Sequence, residues 1–255
     1  MPQDPYFREE NGRFVPLEVA RGYWSRDMLH GRPLIGIIGR ELERVHGDPA
    51  FIPARFNVDL HRTPRFAPVE VETRLLRSGG RLRLAEAVLT IDGEEYARAT
   101  CQFLRVGEAP PGRIWAPAPW DVPSPHAIAP RPDPKRRGLS EMRPIAGRMG
   151  AYGPRQVWTR EYFDLVEGQT MTPFARVALA ADFASPWTHI GDAGVHYMNT
   201  DIVVHLHRLP RGEWLGFEVT GHDASQGIAV GHCRLYDADG AIGFISATAL
   251  TNQRR

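Results

Sequence analysis

Leu60-His61-Arg62-Thr63-Pro64 returns as Leu206-His207-Arg208-Leu209-Pro210, 146 residues further along the chain. The surroundings of this motif return as well: a helix-like segment precedes each copy, and two strand-like runs, a turn and a closing strand follow it. The two turns, Asp92-Gly93 and Asp239-Gly240, are 147 residues apart, which predicts that one residue was gained between the landmarks. A period near half of the 255 residues is too long for a solenoid and predicts two related domains in tandem.

Composition sets the broad class. Lys plus Arg number 31 against 30 for Asp plus Glu, so no electrostatic argument for a nucleic-acid partner exists. The start, Met1-Pro2-Gln3-Asp4-Pro5, lacks the basic and apolar regions of a signal peptide, and no apolar run approaches the roughly 20 residues of a membrane span. We therefore expect a cytoplasmic protein. Cys101 and Cys233 show neither CxxC nor paired His spacing, so we expect buried free thiols, no metal site and no cofactor.

The first half reads as one helix followed by a sheet. Pro33 in His30-Gly31-Arg32-Pro33 suits the first turn of a helix over residues 34–43, because the missing N–H costs nothing there. Runs rich in Val, Leu and Thr, separated by Gly or Pro signals, predict strands at 56–61, 69–77, 81–91 and 95–104. Consecutive hairpins after one helix predict an α+β fold in which an antiparallel sheet wraps that helix.

The repeat predicts a first domain at residues 1–108, a linker at 109–146 and a second domain at 147–255. Proline dominates the middle segment, as in Trp115-Ala116-Pro117-Ala118-Pro119-Trp120. Because proline removes backbone donors and resists both helix and strand, we expect an extended linker without a folded element from about residue 106 to 148. Its tryptophans, Trp115 and Trp120, suggest that this linker lies against a domain surface.

The second helix carries an acid on its apolar side. Thr172 is a predicted N-cap and Pro173 the first helical residue. One helical face then contains Phe174, Val177, Ala178, Ala181 and Asp182. Aligning the two helix-start prolines sets Leu42 opposite Asp182, so one copy keeps an apolar residue where the other places a carboxylate that is costly to desolvate. The alternative is a partly hydrated acid near the helix end, bonded to a backbone N–H of the next loop.

These features resemble the double hotdog fold, in which a central helix is wrapped by an antiparallel sheet in each of two tandem halves. The details are similar to the type II acyl-CoA thioesterase group. The similar stretches are Val71 to Arg81 within 68–104, Ala180-Ala181-Asp182-Phe183, Thr200-Asp201-Ile202 through His207-Arg208, Glu213-Trp214-Leu215, and 237–240.

The resemblance implies hydrolysis of a fatty acyl-CoA by water, without a covalent intermediate. In such enzymes an Asp on the second helix, a hydroxyl or amide residue on the next strand and a Gln on the last strand hold the water. Carried over by position, these are Asp182, Asn199 with Thr200 beside it, and Thr248 in place of the Gln. Asn and Thr can still hold a water, since each offers a donor and an acceptor, but the missing Gln is a departure from the family.

Other residues are candidates for binding the substrate. The turn at His30-Gly31 offers free N–H groups at a helix N-terminus to a developing oxyanion, or it is only a loop and cap. Basic residues after the repeated motif are candidates for the CoA moiety, although surface solubility also explains them: Arg62, Arg65, Arg208 and Arg211. We interpret the repeated His61 and His207 as structural.

Two alternatives remain open at this point. A hydratase or dehydratase acting on acyl-CoA would use Asp182 and His189, whose seven-residue spacing is longer than the hydratase pattern. A non-catalytic acyl-CoA binder would explain the replaced Gln. Exposed sheet edges favour pairing between the halves and a homodimer.

Overall fold

The computed structural model describes residues 4–23, 25–118, 120–130 and 138–252. Its helices are α1 (Gly31–His46), α2 (Pro173–Ala181) and α3 (Ala184–His189). The strands of the first half are β1 (Phe7–Glu10), β2 (Arg13–Pro16), β3 (Phe51–Leu60), β4 (Glu70–Ser78), β5 (Leu82–Ile91) and β6 (Glu94–Arg105). Those of the second half are β7 (Ser140–Ala146), β8 (Gln156–Glu161), β9 (Tyr197–Asn199), β10 (Asp201–Leu206), β11 (Leu215–Ser225), β12 (Ile228–Asp237) and β13 (Gly240–Thr251).

One antiparallel sheet runs through both halves. Its order is β4-β5-β6-β3-β10-β13-β12-β11-β8-β7, with β9 paired to β13, while β1 and β2 form a separate hairpin. The halves meet at the central pair β3 and β10, where Asp201 faces Asp59 and His205 faces Arg55. The backbone ladder therefore continues without a break from one copy to the other.

The internal repeat is confirmed residue by residue in the strands. Leu60 pairs with Ala97 between β3 and β6, and Leu206 pairs with Gly243 between β10 and β13, each 146 residues on. Strands β5 and β6 keep the same offset from β12 and β13 at both ends. The predicted gain of one residue at the turn is wrong, because the turn after β12 is formed by 238–239 and Gly240 already belongs to β13.

The helices cover one face of the sheet. Helix α1 packs against β3 to β6, α2 and α3 pack against β10 to β13, and α1 and α2 contact each other. Gly39 makes the helix contact possible, since a Cβ at this position would lie 2.5 Å from the Cβ of Ala178. This is the α+β tandem double hotdog architecture expected from the sequence. Cys101 and Cys233 are buried free thiols, as predicted.

The prediction that the linker lies against a domain surface is confirmed at Trp120, and two other parts of the linker prediction are wrong. Trp120 packs between Trp158 and Tyr236, with ring centroids 5.0 and 4.1 Å apart, whereas Trp115 is 86% exposed. The absence of a folded element up to residue 148 is wrong, because β7 pairs with β8. The sheet tolerates Pro144 there because β7 is an edge strand with a register shift just after this residue. Linker residues 119 and 131–137 lie outside the described residues.

Within the described residues, none of the helices is long and apolar enough to cross a membrane. Over the same ranges, no three His, Cys, Asp or Glu residues are grouped so that they could hold a metal ion.

Candidate active site

Asp182 lies at the end of α2, where that helix meets the beginning of α1. It is the C-cap residue of α2, and only 9% of its surface is exposed. A carboxylate is unfavourable at a helix C-terminus, so the position does not serve the stability of α2. Asp182 does lie at the helix end, as the alternative holds, but the side-chain hydrogen bond described for its carboxylate comes from Asn199 rather than from a backbone N–H of the next loop.

Asn199 holds one oxygen of this carboxylate. Its Nδ2 donates a hydrogen bond to Asp182 Oδ1 over 3.2 Å. Asn199 reaches the acid because it pairs with Ala249 of β13, whose side chain is buried on the helix-covered face of the sheet. Two sequence candidates are thus brought into contact.

The N-terminus of α1 faces the same carboxylate. His30 Nδ1 lies 3.6 Å from Asp182 Oδ2. A Cβ on Gly31 would lie 3.0 Å from Asp182 Oδ1, so glycine lets the helix backbone approach the carboxylate without displacing it. An acid beside a helix N-terminus is favourable, and α1 therefore compensates for the position of Asp182 on α2.

His30 is neutral in this arrangement. Its Nδ1 accepts a hydrogen bond from the Arg32 backbone N–H over 3.0 Å, which puts the ring proton on Nε2. Burial lowers the pKa of His30 and the positive Arg32 side chain acts in the same direction, while Asp182 acts in the opposite one. His30 therefore offers an Nε2–H donor.

A buried ion pair lies behind these helix ends. Arg32 Nη2 is 2.9 Å from Glu161 Oε1, with both side chains almost inaccessible. The same guanidinium donates through Nε to the Leu179 carbonyl in the last turn of α2, over 3.3 Å. Arg32 thus ties α1 to α2 and β8. The sequence interpretation missed this role, although Arg32 shares a helical face with the apolar Ile35, a pattern that marks buried charge.

Asp182 opens into a cavity of about 330 Å³ formed by both halves. The first half contributes Gly22, Tyr23, Met28, His30, Gly31, Leu34, Leu60, His61, Arg62, Thr63 and Pro64. The second half contributes Asp182, Met198, Asn199, Thr200 and Leu250. Apolar side chains, among them Met28, Leu34 and Met198, share this wall with polar ones, and of the polar side chains His30 and Asn199 lie beside Asp182. Tyr23, Met28 and Leu250 carried no sequence signal, because their separation along the chain hides their proximity.

Thr200 and Thr248 differ in what they contribute. Thr200 lines the cavity, and both its backbone N–H and its hydroxyl donate to the Thr248 carbonyl, over 2.9 and 3.2 Å. The Thr248 side chain is not part of the cavity wall, because its neighbours Ala247 and Ala249 are buried on the helix-covered face and alternation turns Thr248 to the other face. Thr248, the residue at the position of the family Gln, is therefore connected to the cavity only through the hydrogen bonds that its carbonyl accepts from Thr200.

The four arginine candidates differ in whether they line the cavity and in which acid they pair with. Arg62 lines the cavity and pairs with Glu94 at 3.3 Å. Arg208 does not line it, contrary to its prediction as a substrate-binding residue: its guanidinium binds both oxygens of the inaccessible Asp237, over 2.5 and 2.7 Å. Arg65 and Arg211 pair with acids at the surface, Asp92 and Asp239 respectively.

The hydratase alternative needs Asp182 and His189 in one site. His189 ends α3 and packs against the rings of Tyr197 and His222, with centroids 5.7 and 5.1 Å away. It does not line the cavity that holds Asp182. Burial lowers the pKa of His189 to about 4, so it is a neutral packing residue at pH 7. His61, predicted to be structural, does line the cavity, beside Glu95 at 3.2 Å.

Comparison with protein families gives two matches that together span most of the chain. Residues 20–104 match the model described as the acyl-CoA thioesterase N-terminal domain. Residues 117–247 match the model described as the acyl-CoA thioesterase C-terminal domain. No curated protein matches the chain.

Solved structures resemble the whole chain in fold. A TesB protein of Mycobacterium avium subspecies paratuberculosis superposes with a TM-score of 0.72 at 16% identity, covering 96% of each chain. A conserved protein of unknown function with a hot dog fold from Alicyclobacillus acidocaldarius gives 0.75 at 14% identity, covering 98% of this chain and 96% of its own. The acyl-CoA thioesterase II TesB2 of Mycobacterium marinum gives 0.66 at 17% identity, covering 97% and 94%. At sequence identities this low, the structural likeness is evidence for the fold alone.

Proposed function

Because the chain belongs to the acyl-CoA thioesterase family and is thereby an acyl-CoA thioester hydrolase, we propose that it cleaves its substrate with a water activated by Asp182. One observation carries this proposal: a nearly buried carboxylate, held by Asn199, opens into a cavity at the N-terminus of α1.

Asp182 is suited to accept the proton of an attacking water. Asn199 occupies Oδ1 through a hydrogen bond, which fixes the carboxylate plane and leaves Oδ2 directed towards His30. A water on Oδ2 would transfer a proton to the carboxylate as its oxygen attacks the thioester carbonyl, an effect of about 10²- to 10⁴-fold in rate. The C–S bond then breaks, the CoA thiolate leaves with the proton that Asp182 had accepted, and no covalent enzyme intermediate forms.

The beginning of α1 supplies donors for the oxyanion. Gly31 is the first residue of α1, where the N–H is not used inside the helix. The Nε2–H of His30 is a second donor on the same cavity wall. Preorganised donors of this kind are each worth about 10²- to 10³-fold in acyl transfer. Arg62, at the same cavity, is the cation that we propose for the CoA phosphates.

The deciding experiment is a screen of the purified protein against acyl-CoA esters of graded chain length, with released thiol as the readout. Thiol release supports the hydrolase. Loss of enoyl absorbance without thiol would support the hydratase, and thermal stabilisation by acyl-CoA without turnover would support a non-catalytic binder. The binder is the second candidate because the Thr248 side chain lies outside the cavity.

We also propose that the protein acts in the cytoplasm on fatty acyl chains and forms a homodimer. The two free thiols suit a reducing compartment. Edge strand β4 exposes Leu75 and Leu76, each 42% accessible, which favours association. Analytical ultracentrifugation would test the dimer, and a single species at monomer mass would contradict it.

A further inference from the structure

A second cavity, of about 610 Å³, lies where the internal repeat places a counterpart of the candidate active site. Met198 and Asn199 line the first cavity, and 146 residues earlier in the chain Ile52 and Pro53 line the second. The repeat therefore produces two related cavities.

The helix ends are arranged alike in both cavities. In the first, the N-cap of α1, His30, faces an acid at the end of α2. In the second, the N-cap of α2, Thr172, donates its hydroxyl to the carboxylate of Glu43 in the last part of α1. By this contact with the opposite N-cap, Glu43 rather than Leu42 takes the place in the second cavity that Asp182 has in the first.

The second cavity lacks what would hold an attacking water. Pro53 stands in place of Asn199 and offers no amide side chain. Burial raises the pKa of Glu43 above its usual value, although the Thr172 hydroxyl acts in the opposite direction. A carboxyl that is protonated more readily, and already bonded to Thr172, is a weaker proton acceptor.

The same lining suits an acyl chain. The apolar side chains of the wall are Phe51, Ile52, Phe103, Leu165, Val166, Met171 and Leu209. Polar side chains also line the wall, and among them Thr172 and Glu43, at the helix ends, could bond a carbonyl. Arg44, half-exposed on the cavity wall, provides a cation for the anionic phosphates of a CoA moiety.

We propose that this second cavity binds a second acyl-CoA molecule, through its acyl chain, without hydrolysing it. The proposal rests on the proposed function for its ligand class and goes beyond it in assigning a binding site to the half that lacks Asp182 and Asn199.

The experiment measures the binding stoichiometry of the dodecyl thioether of CoA, which cannot be hydrolysed, by isothermal titration calorimetry. Ile52→Trp and Met198→Trp are matched variants, because the repeat makes these residues counterparts in the two cavities. The parental chain should bind two molecules, each single variant one, and the double variant none. Thermal melting checks that each variant is folded.

One molecule per parental chain, removed by Met198→Trp alone, would overturn the second site. Photolabelling with a diazirine-bearing acyl-CoA gives a readout that needs no variant: labelled peptides should include Met171 or Leu209, and labelling confined to the first cavity would overturn the proposal. The proposed function is tested separately, since a chain that releases thiol but binds one thioether fails only here, and a chain that binds two but releases no thiol fails only there.

Discussion

Asn199 and Asp182 come from different layers of the fold, a strand of the sheet and the end of a helix, and they meet through one hydrogen bond of 3.2 Å. The bond fixes the carboxylate from the side of the sheet, while the first turn of α1 approaches it from the other side.

Asp182→Asn keeps size and polarity but cannot accept the proton, so acyl-CoA hydrolysis per folded molecule should fall by about 10²-fold or more. The melting temperature should hold or rise slightly, because a nearly buried charge becomes neutral. Asp201→Asn is the matched control: this acid accepts a bond from the Thr248 backbone N–H over 2.8 Å and does not line the cavity, so stability should fall and turnover should persist. A less stable Asp182→Asn variant with parental turnover would refute the assignment.

Gly31→Ala should impair catalysis while preserving the fold. The added Cβ would lie 3.0 Å from Asp182 Oδ1, so the carboxylate must shift by a few tenths of an ångström. Misplacement of a catalytic group by up to about 1 Å costs as much as 10²-fold, and we expect a loss of roughly 10-fold in kcat. Gly107→Ala, where nothing lies within 4 Å, serves as the control in the same steady-state assay. Equal kinetics in the two variants would argue against a role for this approach.

Asn199→Leu and Thr248→Val should have opposite outcomes. The first removes a hydrogen bond to a charged group, worth about 1.5–3 kcal/mol, so we expect kcat/KM to fall by about 10-fold or more. The second should leave kcat/KM nearly unchanged, since only the Thr248 backbone contacts the site. A large loss in Thr248→Val would mean that its hydroxyl reaches the water after all.

Arg208 should matter for stability at neutral pH rather than for substrate binding, and its contribution should disappear in acid. Burial would raise the pKa of Asp237, but hydrogen bonds from Arg208 and from the Arg211 and Asp239 backbone outweigh it and lower the pKa below 3.8. A depressed carboxyl pKa stabilises the fold above the unfolded value, and this contribution disappears as pH falls through the folded value. Arg208→Met should therefore cost about 3–5 kcal/mol at neutral pH. Chemical denaturation between pH 2 and 7 measures this, and a raised KM without destabilisation would contradict it.

His30 should titrate below pH 6.5, because burial lowers its pKa. The unfolded chain takes up this proton first as the pH falls, so His30 should reduce stability increasingly below pH 6.5 rather than add to it. The acid limb of kcat/KM should lie below that value as well. NMR titration of the His30 ring checks this, and a midpoint above 6.5 would contradict the neutral Nε2–H donor.

The sheet could be predicted from the sequence because its signals are local and occur twice. Each end of strands 82–91 and 94–105 lies within one residue of its prediction, and Thr172 is the expected N-cap. The start of β3 was missed by five residues, since the sequence around Pro53 does not alternate in a regular way and the strand shifts register there.

The residues of the candidate site could be predicted only where their type and position in the sequence, or the family resemblance, indicated a role. Asp182 was identifiable as an acid on an apolar face, and Asn199 followed from the resemblance. Arg208 could not be separated from Arg62 in sequence, because both follow the same repeated Leu-His motif. Only the packing shows that Arg208 neutralises a buried acid while Arg62 faces the cavity.

The continuous ladder between β3 and β10 has a mechanical consequence. A clamshell opening of the two halves would break a row of paired backbone groups at the centre of one sheet. Interdomain hinge motion is therefore disfavoured, and we expect any change in access to the shared cavity to come from its surface segments. Among the described residues, Gly22–Tyr23 and Thr63–Pro64 border the cavity outside helices and strands, so we expect such a change to occur there.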